Sequence, residues 1–258
     1  MIGVFDSGIG GLTVVKEIRR SISSQDVIYF GDTARVPYGP KSKELITKYA
    51  IQNTVFLSTR DVELIVVACN TVSSICLSRL KSMFSIPIVG VIEPGVRKAL
   101  AHTKGRIGII GTAATVRSKA YQKAIRALDS AVRTRAKACP LFVPLAEEGL
   151  IEEDATYLIA EHYLKPLIEF KIDTLILGCT HYPLLKETIR KVVGRGVSLV
   201  DSASAVTEEV RGLVGRKKER GEIQIYLSDI PPDFTRIGSV FLGERIERVK
   251  KVMVEDYV

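Results

Sequence analysis

Short apolar runs recur along the chain at residues 2–5, 27–30, 64–68, 86–92, 107–111, 175–178 and 197–200. Runs of this length with little polar alternation predict strands covered on both faces, as in parallel sheets. Between them, residues 12–21, 42–60 and 155–170 carry apolar side chains at helical spacing. The alternation predicts an α/β protein with mainly parallel sheets.

The pattern also repeats. Ile2-Gly-Val-Phe-Asp-Ser-Gly resembles Ile107-Gly-Ile-Ile-Gly-Thr-Ala. Leu64-Ile-Val-Val-Ala-Cys-Asn-Thr resembles Thr174-Leu-Ile-Leu-Gly-Cys-Thr-His, and Ile88-Val-Gly-Val resembles Val197-Ser-Leu-Val. The three pairs keep their order at offsets of about 105 to 110 residues, the mark of an internal duplication. Two similar, pseudo-symmetric αβ domains are therefore expected. After Ser204 the repeat stops, and the remaining chain reads as a helix through Leu213, a basic turn, a strand over 223–227, a Pro231-Pro232 break, a short helix and an apolar run near 249–254. A tail of this kind can return to the first half. The expected division is a discontinuous first domain, 1–92 plus 205–258, and a second domain over 93–204.

With 258 residues, 46% of them hydrophobic and 26% charged, the chain can bury a sizeable core, which excludes intrinsic disorder and fibrous repeats. Met1 leads into an apolar stretch broken at Asp6, so no secretory signal is expected. No run reaches membrane-spanning length, and a cytoplasmic protein without membrane contact is expected. The net charge of +8 raises the question of nucleic acid. Its densest patch, Arg216-Lys-Lys-Glu-Arg220, is interrupted by an acid, which reads as a solvated turn; no nucleic-acid partner is expected, and an anionic small substrate fits the charge. Four cysteines without a CxxC pair fit neither a disulfide scaffold nor a zinc site, so no metal is expected.

Cys69 and Cys179 occupy matching places in the two halves. Each follows a strand and precedes small polar residues and a helical stretch, at the sheet edge where α/β folds bind ligands and where helix N–H groups stabilise a thiolate. Cys76 and Cys139 have no such match and read as packing residues. Two thiols facing each other across a cleft have a chemical meaning: inverting a carbon centre by proton transfer needs a base on one face and an acid on the other. Asp6 and Ser7 open a glycine-rich corner, Gly8-Ile-Gly-Gly11, that lacks the glycine a dinucleotide fingerprint would need at Thr13. Asp6 can assist a base there or cap a helix. His181, two residues beyond Cys179, can polarise the thiol or serve as a core histidine. For Glu147 and Glu148, spacing favours the start of a helix over a site carboxylate.

Taken in order, Phe5-Asp-Ser-Gly-Ile-Gly-Gly, Gly31-Asp-Thr-Ala-Arg-Val-Pro-Tyr-Gly39, Val67-Ala-Cys-Asn-Thr71, Gly90-Val-Ile-Glu-Pro94, Pro144-Leu-Ala-Glu-Glu148 and Leu177-Gly-Cys-Thr-His-Tyr-Pro183 resemble the bacterial glutamate racemases of the cofactor-independent aspartate/glutamate racemase superfamily. The resemblance covers essentially the whole chain, with no departure at the catalytic positions. It implies two αβ domains with the active site in the cleft between them, interconversion of L- and D-glutamate for peptidoglycan synthesis, and no cofactor. It further implies Cys69 and Cys179 as the catalytic acid/base pair, assisted by Asp6 and His181, with Glu147 as an acidic residue of the site. Ser7, Tyr38, Gly39, Asn70, Thr71, Thr115 and Thr180, together with Asp6 and His181, are the implied substrate contacts. A homodimer is compatible with it. An aspartate racemase, a Cys179–His181 acyl-transfer hydrolase and a non-catalytic amino-acid-binding protein stay open as alternatives.

Overall fold

The computed structural model describes residues 1–215 and 220–257; most of the basic patch, residues 216–219, lies outside the described residues. The first half runs β1 (Ile2–Asp6), α1 (Leu12–Ser21), β2 (Val27–Gly31), α2 (Lys43–Ser58), β3 (Leu64–Val67), α3 (Asn70–Ile75), α4 (Leu77–Met83) and β4 (Ile88–Gly90). It is followed by α5 (Ile92–Leu100), β5 (Arg106–Gly111), α6 (Ala113–Ser118), α7 (Ala120–Leu128), β6 (Arg133–Ala138), α8 (Phe142–Glu147), α9 (Asp154–Glu169), β7 (Thr174–Gly178), α10 (Lys186–Val193) and β8 (Ser198–Asp201). The chain closes with α11 (Ser202–Leu213), β9 (Ile223–Leu227), α12 (Phe234–Leu242) and β10 (Lys250–Lys251).

Two parallel sheets result, ordered β10-β9-β2-β1-β3-β4 and β6-β5-β7-β8. The block β2-β1-β3-β4 reappears as β6-β5-β7-β8, with Phe5 paired to Val67 in one sheet and Ile110 to Leu177 in the other. The duplication read from sequence is thus a repeat of strand order. The tail adds β9 and β10 to the edge of the first sheet beside β2.

Central strands β1, β2, β3 and β7 are buried along their whole length, as continuous apolar runs demand when helices cover both faces. One core cluster runs through both halves, from Ile2, Val4 and Leu12 to Leu175, Leu177 and Val206, so the sheets share an interior. On its other face the first sheet packs Phe30, Phe56 and Leu57 from β2 and α2.

Two sequence expectations need correction. The run 86–92 is a strand only over Ile88–Gly90, because Ile92 already opens α5, where Pro94 falls in the first turn and its missing N–H costs nothing. Strand β6 carries no apolar run in the sequence: Arg133-Thr-Arg-Ala-Lys-Ala138 is largely polar, which an exposed edge strand permits. No helix among the described residues is long and apolar enough to cross a membrane.

Candidate active site

Because both sheets are parallel and built alike, the segments leaving β1, β3 and β7 collect at carboxyl strand ends, where open α/β sheets bind ligands. Cys69 lies two residues past Val67, and Cys179 directly follows β7. They line one cavity of about 620 Å³, together with Ser7, Tyr38, Asn70, Thr180 and His181. Each sheet therefore contributes one thiol to the same space.

The surroundings of the two sulfurs differ. Cys69 Sγ lies 3.6 Å from Ser7 Oγ, and burial pushes its thiol up to about 12, with the Asp6 carboxylate adding to the rise. The Val72 N–H in the first turn of α3 and the Ser7 hydroxyl pull the other way. Asp6 is fully buried, and its Oδ2 accepts from the backbone N–H of Gly8 at 3.3 Å and of Gly11 at 3.1 Å. Burial lifts the Asp6 carboxyl, although attraction to His181 opposes the rise. The helix-cap reading of Asp6 is replaced by this: Gly11 is the cap residue of α1, and Asp6 holds the loop in front of it.

Around Cys179 the chemistry is basic. Its Sγ lies 3.8 Å from His181 Nδ1, and His181 Nε2 lies 2.8 Å from Glu147 Oε1. Burial disfavours the charged imidazole, yet the partners Cys179 and Glu147 outweigh it and lift His181 from 6.5 to about 10. His181 Nδ1 is thus close enough to the Cys179 sulfur to exchange a proton with it. Glu147 is the last residue of α8, so the helix-start expectation for it is corrected.

The difference between the halves follows from the repeat. Asp6, at the end of β1, corresponds to Gly111 at the end of β5, so only one half carries a carboxylate there. Asn70-Thr71 after the first cysteine corresponds to Thr180-His181 after the second. Gly10 lets the halves touch: a Cβ on it would fall 2.4 Å from both His181 Nδ1 and Thr180 Oγ1. Thr13 Oγ1 also lies 3.0 Å from the carbonyl of Thr180.

Of the other expected contacts, Gly39 and Thr71 line the cavity. Tyr38 lines it too, but its buried hydroxyl donates to Asp32, a carboxylate clamped by Arg35 at 2.8 Å. That commitment anchors the loop 36–40 from behind. Thr115 is buried beneath the lining: its Oγ1 lies 3.0 Å from Thr112 Oγ1, which lies 2.9 Å from Thr71 Oγ1.

Thr112, Arg117 and Val143 also line the cavity and were not singled out from sequence. Thr112 had a legible signal, a threonine between strand and helix, and it caps α6 by accepting from Thr115 N–H at 3.2 Å. Arg117 and Val143 had none.

Comparison with known proteins agrees with this geometry. A glutamate racemase from Geobacter metallireducens is 51% identical, the match covering 98% of this chain and 97% of the relative. The crystal structure of a glutamate racemase isoform from Bacillus anthracis superposes with a TM-score of 0.94 at 37% identity, over 98% of this chain and 97% of that one. That of a glutamate racemase from Francisella tularensis in complex with D-glutamate gives 0.93 at 37% identity, over 99% and 98%. Residues 2–210 match the family model described as Asp/Glu/hydantoin racemase, and the chain belongs to that family.

Proposed function

We propose that this chain is a glutamate racemase that moves the α-proton of glutamate between two thiols, Cys69 and Cys179, standing on opposite faces of the bound substrate. The observation that carries the reading is that each sheet delivers one cysteine to a shared cavity, and that the two have different proton-handling neighbours. Glutamate is the substrate because the similar proteins carry that activity in their names and one of them is described in complex with D-glutamate.

In this reading the thiol of Cys69, its proton retained by burial and by Asp6, is the acid for one direction, while Cys179 beside His181 is the base. Reversal exchanges the roles: Asp6 then takes part in drawing the proton from Cys69, and the His181–Glu147 pair returns one to Cys179. The carbanion formed at the α-carbon is stabilised by hydrogen-bond donors around the substrate carboxylate and by exclusion of water, without a cofactor. Ser7, Asn70, Thr71 and Thr180 supply such donors, with Gly39 and Tyr38 closing one wall. The enzyme works in the cytoplasm and supplies D-glutamate to peptidoglycan, and its two catalytic units are 1–92 with 205–258, and 93–204.

The contact series Cys179–His181–Glu147 also favours a second reading, an acyl-transfer hydrolase with Cys179 as nucleophile. That reading leaves Cys69 without a task. The deciding experiment replaces each cysteine by serine and follows two reactions: racemisation of glutamate, and loss of chloride from each enantiomer of β-chloroglutamate, which needs only deprotonation. Both variants should lose racemisation, with Cys69→Ser still eliminating from the L-form and Cys179→Ser from the D-form. A fully racemising Cys69→Ser enzyme would sink the proposal.

A further inference from the structure

Asn70 stands beside Cys69 at the start of α3, and a directional chain of hydrogen bonds leads from its amide to the strand that carries the other cysteine. Tyr121 Oη donates to Asn70 Oδ1 at 2.6 Å, Asn70 Nδ2 donates to Ser202 Oγ at 3.2 Å, and Ser202 Oγ donates to the carbonyl of Leu177 at 3.0 Å. Leu177 is the penultimate residue of β7, two before Cys179. Ser202 Oγ also lies 3.4 Å from Asn70 Oδ1, so both ends of the Asn70 amide are held by this cluster. Asn70, Tyr121 and Ser202 are all buried, and neither Tyr121 nor Ser202 lines the cavity.

Three separate elements meet in this chain: α3 of the first half, α7 of the second, and the N-terminus of α11, which directly follows β8. Buried polar groups hold such a geometry firmly, because any shift that breaks a link leaves a desolvated donor or acceptor unpaired. The path bridges the strand ends that carry the two thiols, and thiol separation is what a two-base reaction is sensitive to. A displacement of a single ångström in a reacting group can cost about 100-fold in rate.

We propose that Tyr121 and Ser202 are positioning residues for racemisation: through Asn70 and Leu177 they set the separation between Cys69 and Cys179. Neither touches the substrate. The proposal rests on the two-thiol reading, and its consequence is specific. Racemisation needs both thiols in register with one α-carbon, whereas elimination from β-chloroglutamate needs one: a single thiol takes the α-proton, chloride leaves, and the enamine adds water to give ammonium and 2-oxoglutarate. Slackening the strut should therefore damage the first reaction more than the second.

The experiment measures both reactions in Ser202→Ala, Tyr121→Phe and Ser202→Thr. In the first two, kcat for racemisation should fall about tenfold or more, while chloride release stays within about threefold of the parent. Ser202→Thr, which restores the hydroxyl, should recover most of the lost racemisation. Tyr121→Phe keeps the ring and removes one bond, so it carries the test if Ser202→Ala fails to fold. Equal losses in the two reactions, or unchanged racemisation in both variants, would overturn the proposal. The two-thiol reading is scored apart from it: if the cysteine variants lose racemisation while Ser202→Ala and Tyr121→Phe keep it, only the strut is wrong.

Discussion

Nε2 of His181 lies 2.8 Å from Oε1 of Glu147, a side chain from the end of α8 reaching the loop that follows β7. Glu147 is itself partly exposed, while the imidazole it supports is buried. Cys179 on one side and the Glu147 carboxylate on the other hold a charge on His181 that burial alone would remove.

Glu147→Gln removes that support while keeping the shape. The proton on His181, held up to about pH 10 in the parent, should then be released at lower pH. The alkaline limb of the kcat/KM profile for racemisation should move toward neutrality, with a loss of about tenfold or more at pH 8. Both directions must fall together in kcat/KM, because the two enantiomers are equal in free energy. A profile that keeps its alkaline limb would show that Glu147 does not act through His181.

The same group links stability to pH. His181 is raised from 6.5 to about 10 on folding, so its contribution is complete below pH 6.5 and is lost as the pH rises through 10. Thermal melts of the parent between pH 6.5 and 10 should show a falling Tm, and the fall should be shallower in Glu147→Gln. Parallel slopes in the two proteins would contradict the assignment.

Asp6→Asn should lower the thiol of Cys69 from its value of about 12, because a neutral amide no longer repels a thiolate. Ultraviolet titration of thiolate absorbance in a Cys179→Ser background removes the other cavity thiol, with Cys76 and Cys139 common to both proteins compared. Racemisation in the otherwise native enzyme should drop about 100-fold or more, since in the proposed mechanism proton exchange at Cys69 loses its assistant. A Cys69 titration unmoved by the change would remove Asp6 from that role.

Gly10→Ala places a methyl 2.4 Å from His181 Nδ1 and Thr180 Oγ1, closer than any real contact. The histidine loop must retreat, costing about 1–3 kcal/mol in stability and a larger share of activity. Urea denaturation read against kcat checks this: a variant with parent kcat would mean that the contact between Gly8-Ile-Gly-Gly11 and Thr180-His181 does not position the imidazole.

The apolar runs determined the fold class, since strands such as Val4-Phe5 and Ile176-Leu177 are buried on both faces and have no polar alternation to disguise them. The internal repeat likewise makes the two cysteines a matched pair in the sequence itself, because equivalent strand ends in a duplicated parallel sheet occupy equivalent places. Strand β6 stayed hidden because edge strands answer to solvent as much as to the core, and its polar residues carry no strand signal of their own. Contacts between side chains far apart in sequence had no local trace at all. Glu147 reached His181 only because α8 packs against the turn 182–185 that follows β7, and Thr71 met Thr112 only because α3 and α6 pack together. Local pattern sets which face of a strand or helix is buried, and so the sequence alone determined where both thiols would emerge. His181 stands near its thiol already in the sequence, but only the tertiary structure brings Glu147 of α8 onto His181 and buries Asp6 beside Cys69, and that packing decides the charge at each thiol.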